Sequence, residues 1–78
     1  MMNTRMRLLL EQRIEKLGLF KTQLETSKEL LYEIKNASVS LQKYEQASKE
    51  RLIEKLLEQS LEQVDDLINN TPIPPKDQ

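Results

Sequence analysis

The chain has 78 residues with a formal net charge of -1, 32% charged side chains, one Gly, no Cys and no His. At this length one domain is the limit, and without disulfides or the Cys and His ligands of structural zinc, a single small core needs support from further helices. The near-neutral charge excludes the basic field of a nucleic-acid binder, and no apolar run approaches the roughly 18 residues that span a bilayer.

Leu, Glu, Lys and Gln dominate, and only three residues are aromatic, which predicts an all-α fold. The first element is a helix over 4–35, because Leu10, Ile14, Leu17, Leu24, Leu31 and Ile34 recur at spacings that line one helix face. Thr4 is the expected N-cap. Gly18 costs about 1 kcal/mol relative to Ala in a helix interior, so it marks either a bend or a close backbone approach. Leu8, Leu19 and Leu30 fall outside the main stripe.

Asn36-Ala37-Ser38-Val39-Ser40 collects residues whose side chains compete for backbone hydrogen bonds, and the turn is expected at 36–40. A second helix over 40–69, capped by Ser38 or Ser40, resumes the helical spacing. The segment Asn69-Asn70-Thr71-Pro72 ends it. The domain expectation is therefore a hairpin over 1–70, followed by a Pro-rich tail over 71–78. That tail carries a PxxP at Pro72 and Pro75 and is expected to be flexible rather than a docking motif.

Two helices of similar length suit an antiparallel, coiled-coil-like hairpin. Residues 1–39 carry seven basic against five acidic side chains and residues 40–78 carry five against eight, so folding back brings Arg5 and Arg7 towards Glu62, Asp65 and Asp66. In the alternative, one continuous helix, Lys21, Lys28 and Lys35 would occupy the apolar register.

The apolar residues from Leu52 to Ile68 cover an arc of about 180°, more than one neighbouring helix can cover. Leu52, Ile53, Leu56, Leu57, Leu61, Val64, Leu67 and Ile68 are therefore the expected partner-binding residues, with Tyr44 at the rim. Leu57 and Leu61 are expected on the part of the arc that the first helix leaves uncovered. The function this implies is non-catalytic: an assembly subunit, chaperone or adaptor, bound to a helical partner, to further copies of itself, or to both. No cofactor, metal, nucleic acid, membrane or small-molecule substrate is expected, since the chain has no base and nucleophile pair and no Gly-rich loop. The Asn-x-Ser and Asn-x-Thr matches at Asn36 and Asn69 mean little, because Met1 to Leu10 lacks the features of a secretory signal. A cytoplasmic location is the expectation.

One segment, Leu61-Glu62-Gln63-Val64-Asp65-Asp66-Leu67-Ile68, resembles the Ser-Gln-Glu-Leu-Asp-x-Leu-Ile signature of the small helical-hairpin aspartyl-phosphate phosphatases of sporulating bacteria. The resemblance covers eight residues, with Leu61 at the Ser position and Glu62 and Gln63 inverted. It implies the alternative function, a regulator of a signalling protein with Asp65 as its acidic site residue.

Overall fold

The computed structural model describes residues 3–70, and these form two helices packed against each other as an antiparallel hairpin. Helix α1 spans Thr4–Ser40 and helix α2 spans Tyr44–Asn70. The expected tail over 71–78 lies outside the described residues.

Asn3 caps α1, one residue before the expected Thr4: its side-chain oxygen accepts the Met6 N–H at 2.8 Å. α1 runs uninterrupted through Gly18, and no close neighbour explains the glycine, since a Cβ built there meets nothing within 4 Å. The expected turn over 36–40 is corrected, because α1 continues to Ser40 and the reversal occupies Leu41, Gln42 and Lys43. The propensity cost of Asn, Ser and Val is only a few tenths of a kcal/mol per residue. One more turn of contact with α2 offsets it, because the Ser38 hydroxyl lies 2.6 Å from Glu50 Oε1 and donates to that carboxylate. Neither Ser38 nor Ser40 caps α2, whose first backbone bond runs from the Ala47 N–H to the Lys43 carbonyl.

The α1 terminus closes with paired backbone bonds, Lys43 N–H to Ser38 O at 2.8 Å and Gln42 N–H to Val39 O at 3.0 Å. This is the Schellman arrangement, which requires a left-handed residue between the last helical turn and the exit. Gln42 fills that position with φ 61°. Glycine is the usual occupant, so its absence hides the turn from a sequence reading.

The two helices meet along a seam of alternating three- and four-residue steps. On α1 the seam runs through Leu10, Ile14, Leu17, Lys21, Leu24, Lys28, Leu31, Lys35 and Ser38, and on α2 through Ala47, Glu50, Glu54, Leu57, Leu61, Val64 and Ile68. Leu31, Ala47, Val64 and Ser38 are buried, while most of the other seam positions are half-buried. Leu31 and Val64 together contribute on the order of 4 kcal/mol of hydrophobic stabilisation, a small core for a hairpin of this length.

Ion pairs across the seam mark the register. Lys21 lies 2.7 Å from Asp65, Lys28 3.4 Å from Glu58 and Lys35 3.1 Å from Glu54. The Lys35 and Glu54 side chains are both only 16% exposed, and the Lys35 ammonium also stands 5.1 Å from the Tyr32 ring centroid. The expected approach of Arg5 and Arg7 to Asp65 is corrected. The late turn makes α1 37 residues long against 27 for α2, so Asp65 meets Lys21, and Arg7 pairs with Glu11 along its own helix.

The turn yields a test with opposite signs for the two architectures. Replacing Gln42 by Gly should raise hairpin stability by about 1 kcal/mol, because a non-glycine residue in the left-handed region carries about that much strain. In a continuous helix the same change would lower stability by about 0.5–1 kcal/mol. Chemical denaturation of the two proteins gives the sign.

Candidate interaction surface

A helical hairpin has two flanks, one on each side of the seam, and here they differ in chemistry. One groove is lined by Glu25, Lys28, Glu29, Tyr32, Glu33, Glu54 and Leu61. The opposite flank holds a groove lined by Phe20, Leu56, Gln59, Ser60, Gln63 and Val64, and another along α1 lined by Leu9, Gln12, Arg13, Lys16, Leu17 and Phe20. The seven-residue recurrence extends both assignments along the helices.

The first flank is acidic. By this periodicity it carries Glu11, Glu15, Glu25 and Glu29 from α1 with Glu58, Glu62 and Asp65 from α2, opposed by Arg51 and Lys55. The second flank presents Met6, Leu9, Phe20, Leu30 and Ile34 from α1 beside Ile53, Leu56 and Leu67 from α2, each of them 45–61% exposed. Its charged residues are Arg13, Lys16 and Lys49, and its remaining positions are uncharged polar or small, including Gln23, Ser27, Ser60 and Gln63. Among the described residues, no carboxylate falls on it.

The expected partner-binding residues divide between these surfaces. Ile53, Leu56 and Leu67 lie on the carboxylate-free flank. Leu52 is exposed on the outer side of α2, and Tyr44 is exposed beside the turn, in a groove with Gln42, Lys43, Glu45 and Gln46. The placement of Leu57 and Leu61 on an uncovered arc is corrected: with Val64 and Ile68 they lie on the seam towards α1. The wide apolar arc of α2 is therefore two stripes, one facing α1 and one facing outwards. Of the residues first set outside the α1 stripe, Leu30 joins the outward stripe, whereas Leu8 and Leu19 do not.

Phe20, Ile34, Met6 and Leu9 belong to the same flank and were missed. The apolar spacing puts Ile34 in the helix–helix stripe, but it is 53% exposed and its neighbour Lys35 occupies the seam instead. A signal for the flank does exist in the sequence. The positions flanking the seam on that side repeat by three and four in both helices and never hold Asp or Glu.

Asp65, the residue singled out by the short phosphatase-like segment, is held by Lys21 Nζ at 2.7 Å. Among the described residues, no group of three or more acidic side chains is arranged to hold a metal ion, and no helix is long and apolar enough to cross a membrane. Compared with protein-family models, curated proteins and solved structures, the chain shows no match.

The Lys21–Asp65 contact has a pH signature. The hydrogen bond and charge of Asp65 raise the Lys21 ammonium above its ordinary value of 10.5. A lysine raised by its folded partner contributes stability that is full below its unfolded pKa and is lost as pH rises through the folded value. The thermal midpoint of the wild-type chain should therefore fall more steeply above about pH 10.5 than that of Lys21→Gln. Parallel curves would show that the contact contributes nothing in solution.

Proposed function

We propose that this protein is a non-catalytic interaction module, an assembly subunit, chaperone or adaptor of the cytoplasm, that binds a helical partner through its apolar, carboxylate-free flank. The observation that carries this reading is the exposure of Phe20, Leu30, Ile34, Ile53 and Leu56 on one side of a two-helix structure. Leu30, Ile34, Ile53 and Leu56 gather on this side near the turn, Phe20 and Leu67 lie further along it, and a third helix laid along the flank would cover them.

The ion pair that holds Asp65 favours binding over the phosphatase chemistry that the short resemblance implies, because the carboxylate already has a structural role.

The test uses an uncharged helical peptide with one Leu stripe, titrated into the full chain and followed by fluorescence anisotropy. Saturable binding is expected, and Leu56→Asp or Ile53→Asp should weaken it at least about tenfold, because a carboxylate placed in an apolar interface must be desolvated. Glu62→Gln on the acidic flank should leave affinity unchanged. Circular dichroism should show full helix content in every variant, since Leu56 and Ile53 are 61% and 49% exposed. An intact chain that binds no such peptide and does not self-associate on concentration would contradict the proposal.

A further inference from the structure

We infer that the occupant of the carboxylate-free flank is an acidic amphipathic helix of another protein, rather than a second copy of this chain. This rests on the interaction reading above and deepens it by naming the partner's chemistry. Across the seam the register pairs Lys21 with Asp65 and Ser38 with Glu50, which places Lys49 level with about residue 39 of α1. Lys16 and Lys49 therefore stand about 35 Å apart along the flank, at 1.5 Å per residue. Between them lie Phe20, Leu30, Ile34, Ile53 and Leu56, with Ser27 and Ser60 midway.

A ligand that covers this section is a helix of three heptads or slightly more. Its apolar stripe meets the aliphatic cluster, and the edges of that stripe meet lysines near both ends. Glutamates at those edges complement the lysines, whereas lysines there are repelled. The polar band of Gln23, Ser27, Ser60 and Gln63 in the middle can bond to polar side chains at the edges of the partner's stripe, which a hydrocarbon surface does not offer.

The same charges argue against a second copy. Two hairpins placed flank to flank about a two-fold axis bring only basic charges into the interface, because neither copy supplies a carboxylate from this side. A copy docking through its acidic flank instead would leave its own apolar flank open to a further copy, giving a ring or a filament rather than a dimer. A lipid surface fits less well. Gln23, Ser27, Ser60 and Gln63 would be buried with nothing to bond, and the acidic flank adds repulsion from anionic headgroups.

The experiment compares two labelled three-heptad helical peptides that share a Leu stripe, one edged with Glu and the other with Lys, against the full chain. The Glu peptide should bind at least about tenfold tighter at low salt, and the difference should shrink as salt is raised from about 0.05 M to about 0.5 M. The double variant Lys16→Glu with Lys49→Glu should invert the order, and Leu56→Asp should weaken both peptides. Equal affinity for the two peptides overturns the charge inference and leaves the interaction reading standing. If neither these peptides nor the uncharged one binds and the chain does not self-associate, both fail. Sedimentation equilibrium and flotation with phosphatidylserine vesicles supply the remaining arms. A dimer, or vesicle binding, that is abolished by Leu56→Asp assigns the flank to a second copy or to a lipid surface and overturns the inference.

Discussion

Three lysines one heptad apart would break an ordinary apolar seam, and the architecture of this chain depends on how they are accommodated. Lys21, Lys28 and Lys35 sit where the helices touch, and α2 answers each of them with a carboxylate. A register that leaves the mostly buried Lys35 without Glu54 is penalised, whereas the half-exposed Lys21 and Lys28 can keep their ammonium groups in water and favour this pairing only modestly. Polar groups in a seam are best understood as devices of this kind, which choose one pairing among many. The pairs are unequal. Lys35 and Glu54 near the turn are mostly buried, whereas the Lys21 and Asp65 side chains are 36% and 46% exposed, so the selection is strongest where the chain reverses.

That arrangement also sorts the surface. Glu58 and Asp65 reach Lys28 and Lys21 from the acidic flank of α2, where Glu25 and Glu29 of α1 also stand. The other flank is left without carboxylates and carries Leu9, Leu30, Ile34, Ile53, Leu56 and Leu67. A hairpin that buries few apolar side chains of its own can thus hold one geometry through charge while reserving its aliphatic surface for a partner. Fold and proposed function draw on the same distribution of residues.

The all-helical hairpin was legible because the apolar spacing, the helix-favouring composition and the charge difference between the two halves agree. The reversal was misplaced for a physical reason. Residues 36–40 look like a break by local propensity, but tertiary contact through Ser38 and Glu50 overrides it, and the true turn lacks the glycine that would announce it. The partner-binding residues were legible only in part. A periodic stripe shows which residues of α2 are apolar, yet it does not say which half of a wide arc the first helix takes. On that account the spacing puts Leu57 and Leu61 outwards and gives Phe20 and Ile34 no place on the flank. The lysines held the missing information, because they mark the α1 seam once they are seen as partners of α2 rather than as interruptions.

A charge exchange across the seam tests this account most directly. Reversing α1 alone, with Lys21→Glu, Lys28→Glu and Lys35→Glu, should abolish the cooperative thermal transition followed by circular dichroism. Adding Asp65→Lys, Glu58→Lys and Glu54→Lys should restore it, since each pair is then rebuilt with opposite polarity. A half-exchanged protein that melts like the wild type, or a fully exchanged one that stays unfolded, would contradict the claim that these pairs select the hairpin.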